Sequence, residues 1–143
     1  MTLASPISAS TSQKRKQRVF VVEDHPLMRR SIVEAIDREP DLMTCGQAAD
    51  ASEVLALGSL EADILLTDIQ LKSSSGVDLI KDLRVRLPGL PIVATTMFDV
   101  RRNERLAREA GAAGFVSKSD GPDRLIAKIR EVLEKARESG ERD

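Results

Sequence analysis

The sequence predicts an α/β protein: one domain built on a doubly wound, five-stranded parallel sheet with helices on both faces. Three observations predict it. Short apolar runs alternate with segments of helical periodicity, five pairs in all, between Arg18 and Ala136. The clearest of those runs are continuous rather than alternating, as expected of strands covered on both faces. The length, 143 residues, suffices for one domain and not for two ordinary ones.

The elements follow in order. Val19-Phe20-Val21-Val22 is the first strand. Pro26 suits the opening turn of the helix after it, where its missing N–H costs nothing. Met28, Ile32, Ala35 and Ile36 then recur at helical spacing up to Pro40. Leu42 to Gln47 reads as a second, weaker strand, with Cys45 as a small core residue. Asp50 and Glu53 form a capping box for a helix carrying Val54, Leu55 and Leu57. Ile64-Leu65-Leu66 is the third strand, ending at Thr67-Asp68. Val77, Ile80, Leu83 and Leu87 mark the third helix, stopped by Pro88-Gly89. Pro91-Ile92-Val93-Ala94 is the fourth strand. A polar helix follows over Val100 to Ala110, ended by Gly111. Phe115-Val116 is the fifth strand. The last helix begins near Pro122 and places Leu125, Ile126, Ile129, Val132, Leu133 and Ala136 on one face.

Five such units suggest a flavodoxin-like sheet with right-handed crossovers and strand order 2-1-3-4-5. Residues 1–17, rich in Ser, Thr, Ala, Lys and Arg, read as a disordered tail. The Lys14-Arg15-Lys16 run is a solvated charge cluster within it. The folded domain is expected over 18–137, and 138–143 as a C-terminal tail or a truncated linker to an absent effector domain.

Bulk properties exclude several classes. Charged residues make up 31% and apolar ones 41%, a globular composition. The net charge of −1 gives no general attraction to nucleic acid or membrane. A single cysteine cannot form a disulfide within the chain and suits a reducing compartment. No apolar run approaches the roughly 18 residues of a membrane span, and no signal-peptide core opens the chain. The cytoplasm is the default location.

In a doubly wound sheet the ligand site lies beyond the carboxyl ends of the strands. Glu23-Asp24 ends the first strand, Asp68 the third, Thr95-Thr96 the fourth, and Lys118 follows the fifth. All converge on one rim. Three carboxylates at one rim repel each other unless a cation sits among them. Oxygen ligands select a hard ion, and a site with few protein ligands suits Mg²⁺. Lys118 adds a fixed positive charge for an anion. Each residue alone has a plainer explanation: a helix cap for Glu23-Asp24, a turn for Asp68, a strand position for Thr96, a solvated surface for Lys118. His25, the sole histidine, reads as a residue turning the chain into the helix. The convergence carries the functional reading. A carboxylate nucleophile, a divalent cation, an ammonium and a hydroxyl are the parts of phosphoryl transfer.

The motifs resemble those of the response regulator receiver family. Val-Val-Glu23-Asp24-His25-Pro26-Leu27 is similar to its acidic opening, Leu65-Leu66-Thr67-Asp68 to its phosphoacceptor strand, Thr96-Met97 to its switch position, and Gly114-Phe115-Val116-Ser117-Lys118 to its final strand. The intervals, 44 residues from Asp24 to Asp68 and 22 from Thr96 to Lys118, match those of the chemotaxis receiver CheY. The resemblance covers about 18–137. His25-Pro26-Leu27, Thr96-Met97 and Ser119 after the lysine are similar to the NarL/FixJ class, which carries a LuxR-type helix-turn-helix not found in this chain.

The resemblance implies a CheY-like fold and a set of roles. Asp68 accepts a phosphoryl group from a histidine kinase or phosphotransfer protein. Asp24 and Asp68 bind Mg²⁺, replaceable by Mn²⁺, directly, Glu23 through water, and Gln70 through its backbone carbonyl. Lys118 contacts phosphoryl oxygens. Thr96 reorients toward them and Phe115 turns inward behind it. The protein is then a signalling phosphoacceptor, not an enzyme acting on other molecules. Its output is protein contact, including dimerisation on phosphorylation, rather than DNA contact by this chain. Two positions depart from the family pattern: Lys72 replaces a common proline, followed by Ser73-Ser74-Ser75, and Gln70 stands near the site. The alternative reading is a stand-alone or phosphorylation-independent receiver acting as a protein-interaction module. A haloacid dehalogenase-type phosphatase would want an acid at Gln70. In a flavodoxin, Glu23-Asp24 would repel phosphate unless a cation intervened.

Overall fold

The computed structural model describes residues 15–142, with side chains described to residue 139. Among them, five strands form one parallel sheet: β1 (Gln17–Val22), β2 (Leu42–Ala48), β3 (Ile64–Asp68), β4 (Ile92–Thr96) and β5 (Gly114–Ser117). Five α-helices connect or follow them: α1 (Pro26–Asp37), α2 (Ala51–Leu55), α3 (Gly76–Arg86), α4 (Val100–Ala110) and α5 (Pro122–Arg142). The sheet order is β2-β1-β3-β4-β5, as expected.

The alternation of side chains along β1 explains the two layers. Val19 and Val21 face one core, with Ile32 and Ile36 of α1 and Leu125, Ile126, Ile129 and Val132 of α5. Phe20 and Val22 face the other, with Val54 of α2, Leu79, Ile80 and Leu83 of α3, and Ala107 and Ala110 of α4. Both faces of β1 are therefore apolar, which is why the run shows no period of two. All five residues of β3 and of β4 are buried.

Several local expectations need correction. α2 stops at Leu55, so Leu57 is outside it and 52% exposed. Gly58 follows at φ 77°, a left-handed turn that a continuing helix cannot contain. Cys45 is exposed, not a core residue. The register of β1 against β2 slips there: Val19 pairs with Thr44 and Phe20 with Gly46. Cys45 is the extra residue of this bulge on an edge strand. Gly46 is required beside it, because a Cβ there would lie 2.5 Å from the ring of Phe20.

The ends of the domain also differ. Gln17 belongs to β1, with its N–H donating to Asp41 O at 2.9 Å, so the tail is one residue shorter than expected. The expected disorder of 1–14 lies outside the described residues. At the other end α5 runs on to Arg142 through the segment expected as a tail. Nothing in 137–139 breaks a helix. Pairs one turn apart, Glu134 with Arg137 and Glu131 with Lys135, support its exposed face. No helix among the described residues is long and apolar enough to cross a membrane.

Candidate functional site

The strands deliver the site. β1 hands over at Glu23, whose N–H still pairs with Ala48 O at 3.0 Å, so its backbone prolongs the sheet. Its carboxylate points inward and is 1% exposed. Arg29 of α1 reaches back to donate to Glu23 O at 2.7 Å. Asp24 is half-buried and accepts from the N–H of Lys72. Asp68 ends β3 and is 7% exposed. Carboxylate oxygens of Glu23, Asp24 and Asp68 lie within 4.8 Å of one another. Lys118 opens a single 3₁₀ turn after β5. Its Nζ donates to Glu23 Oε1 at 2.5 Å and to Asp68 Oδ2 at 2.8 Å. The acidic cluster and the lysine, 95 residues apart at the extremes, meet as expected.

Burial raises the Glu23 carboxyl above its ordinary range, although the hydrogen bond and charge of Lys118 pull it back. Burial alone would lower the Lys118 ammonium, but hydrogen bonds to Asp68 and Glu23 outweigh that and raise it. With all four groups ionised, one ammonium faces three carboxylates, and two negative charges remain uncompensated. Hard oxygen donors with excess negative charge fit a divalent cation.

Asp68 is held from its own side of the sheet. Oδ1 accepts from the Gln70 N–H at 2.9 Å, while the Gln70 side chain is exposed. Gln70 and Ser75 form a small bridge that folds the intervening loop, including Lys72, back toward Asp24. The start of α3 then passes very close to the strand end. Gly76 N–H donates to Ile69 O at 3.1 Å, and a Cβ at Gly76 would lie 2.2 Å from Asp68 O. Only glycine fits that approach.

The hydroxyls at the end of β4 divide. Thr95 donates to Thr67 O at 3.5 Å and is sheet structure. Thr96 is fully buried and bonds Phe98 and Asn103. Asn103, 4% exposed in α4, went unnoticed in the sequence. A polar residue unsuited to helix interiors, inside an otherwise charged helix, was the available signal. Phe115 lies inward, 7% exposed, in the core beside α4. His25 caps α1, its Nδ1 accepting from the Met28 N–H at 3.4 Å.

Comparison with known proteins adds three findings. Residues 19–130 match the family model described as the response regulator receiver domain. Over 118 residues the chain is 34% identical to the uncharacterized transcriptional regulatory protein YxjL of Bacillus subtilis, covering 82% of this chain and 54% of that protein. It is 31% identical over 114 residues to the nitrate/nitrite response regulator NarP of Escherichia coli, covering 79% and 53%. The chain thus spans about half the length of the curated relatives it matches. Among solved structures, a LuxR-family two-component response regulator from Aurantimonas sp. SI85-9A1 superposes with a TM-score of 0.79 at 30% identity, over 84% of this chain and 86% of that one.

Proposed function

Because the chain belongs to the response regulator receiver domain family of two-component systems, we propose that Asp68 is its phosphoacceptor, served by Glu23, Asp24, Lys118 and Thr96. The observation that carries this reading is the buried Asp68 carboxylate at a strand end, 2.8 Å from Lys118 Nζ and within 4.8 Å of two further carboxylates.

The chemistry follows from those groups. A carboxylate oxygen of Asp68 attacks phosphorus of a phosphohistidine on a kinase or phosphotransfer protein. The P–N bond breaks as the O–P bond forms, and the imidazole leaves with the electron pair. Lys118 exchanges its contact with Asp68 Oδ2 for the incoming phosphoryl oxygens and offsets their charge. Glu23 and Asp24, with Asp68 and the Gln70 carbonyl, would hold Mg²⁺ or Mn²⁺, which neutralises phosphoryl charge when bound. Thr96 then turns its hydroxyl to the phosphoryl group, with Phe115 packed behind it.

The receiver unit extends from Gln17 through α5. Output passes through α4, β5 and α5 to a second copy or to an effector domain, in the cytoplasm, without direct DNA contact by these residues. The thin anchoring of α4 supports that route: only Asn103, Ala107 and Ala110 of its eleven residues are buried. Arg101, Arg105 and Arg108 share a face, but Glu104 already pairs with Arg108 at 2.8 Å. That balance disfavours a DNA-binding surface.

Incubation with acetyl phosphate and Mg²⁺ should add one phosphoryl mass, located on Asp68 by peptide mapping. Asp68→Asn should abolish it. Equal labelling of Asp68→Asn would show that the nucleophile lies elsewhere.

A further inference from the structure

Thr96 ends β4 with a hydroxyl that has no spare bonding capacity. A hydroxyl offers one proton and two lone pairs. The proton goes to Phe98 O at 3.0 Å; the lone pairs accept from Phe98 N at 3.3 Å and Asn103 Nδ2 at 3.0 Å. Asn103 Nδ2 sends its other proton to the same Phe98 carbonyl, at 2.8 Å. Thr96, Phe98 and Asn103 therefore close a ring of hydrogen bonds.

Little else holds this junction. Asp99 stands at φ 48°, left-handed, and its side chain caps no N–H of α4. Met97, Phe98 and Val100 are exposed by 44%, 68% and 41%. Asparagine is a poor residue for a helix interior, because its amide competes for backbone partners. Buried in α4, Asn103 uses that tendency on the residue just before the helix.

We propose that Asn103 is a positioning residue for the phosphoryl switch, a catch that holds the Thr96 hydroxyl away from the phosphoryl site. This rests on the phosphoacceptor reading of Asp68. For Thr96 to donate to a phosphoryl oxygen, its proton must leave Phe98 O. Phe98 is 68% exposed, so water can replace the hydroxyl at that carbonyl whether or not Asn103 is present. The second Asn103 proton loses Thr96 as its acceptor. The amide thus makes two bonds in the arrangement seen here and one in the engaged arrangement. Removing it shifts the balance toward engagement by about fivefold, the equivalent of one hydrogen bond at about 1 kcal/mol net.

The test is the apparent affinity for beryllofluoride in saturating Mg²⁺, for the wild type, Asn103→Ala, Thr96→Val and the double variant. Asn103→Ala should bind about fivefold tighter, with no further gain in the Thr96→Val background. A residue that only packs α4 would alter stability alike in both backgrounds and show no such coupling. Unchanged or weaker binding by Asn103→Ala, or the same gain without the Thr96 hydroxyl, would overturn the proposal. Should that variant not fold, the wild type decides. Asn103 is the only asparagine of the chain, so ¹⁵N-asparagine labelling yields a single side-chain amide pair. One of its protons should shift and lose exchange protection when beryllofluoride binds, and an unmoved pair would sink the proposal. Beryllofluoride binding equally to wild type and Asp68→Asn would remove the phosphoacceptor reading, and this inference with it. Binding that needs Asp68 but leaves Asn103 uncoupled would remove the inference alone.

Discussion

Removing the Lys118 ammonium should destabilise the domain far more than removing an ordinary surface lysine. Its Nζ bonds Glu23 Oε1 and Asp68 Oδ2, with side-chain exposures of 9%, 2% and 10% for the three partners in turn. Breaking a buried ion pair from one side costs about 3–5 kcal/mol, because the remaining charge keeps its desolvation penalty without its partner. Two relaxations reduce the cost: Glu23 can take up a proton, and Asp68 and Asp24 can draw in water or a cation. The expected loss for Lys118→Ala is therefore about 3 kcal/mol, or roughly 12 °C in Tm for a domain of this size. Urea unfolding at neutral pH without divalent ions measures it, with the slope unchanged if only native-state contacts are lost. Lys128→Ala, which removes an exposed pair with Glu131, is the control and should cost under about 1 kcal/mol. Adding Glu23→Gln to Lys118→Ala should recover part of the loss by removing a stranded charge. Mg²⁺ affinity should hold or improve, since a nearby positive charge is gone. A loss no larger than the Lys128 control, or collapse of Mg²⁺ binding, would refute the picture of a buried ammonium neutralising these carboxylates.

Further outcomes follow from particular contacts. Gly76→Ala should destabilise by about 2 kcal/mol despite alanine's better helix propensity, because its Cβ would meet the backbone at Asp68 O and Ile69 Cα; chemical denaturation checks this, and wild-type stability would show that the approach can relax. Arg130 bonds Asp41 and Glu39, and the Asp41 carboxyl is held below its ordinary range by that hydrogen bond. A depressed folded pKa stabilises above the unfolded value of about 3.9 and loses that effect as pH falls through the folded value. Arg130→Ala should thus trail the wild type by under about 1 kcal/mol at neutral pH, both partners being about half exposed, and converge with it in strong acid; a pH series of thermal melts tests it. Hydrogen exchange with and without beryllofluoride should change most in residues 96–118, the segment from Thr96 to Lys118; changes confined to α1 and α2 would contradict an output route through α4.

The sheet was legible because burial on both faces turns each central strand into a continuous apolar run. Val19 to Val22 and Ile64 to Leu66 show this directly. The acidic rim was legible for a topological reason. In a parallel sheet every strand ends on the same side, so residues far apart in sequence must meet there. Cys45 was misread because a bulge on an edge strand reverses which residues face inward, and a weakly patterned run such as Leu42 to Ala48 does not announce a bulge. Leu57 was misread because the apolar spacing of Val54, Leu55 and Leu57 continues up to Gly58, whereas the helix ends at Leu55 ahead of that left-handed glycine turn.

Sequence alone thus determined the layer order, the strand ends and the residue types gathered at them, since periodicity and chain connectivity act over short range. Three features were decided only by the tertiary structure. Lys118 bridges Glu23 and Asp68, Gly76 must lack a Cβ where α3 meets β3, and Asn103 occupies the Thr96 hydroxyl. Each depends on distances of a few ångströms between separate elements. A hydrogen bond or a steric contact changes sign within such a distance, and no local pattern of residues encodes it.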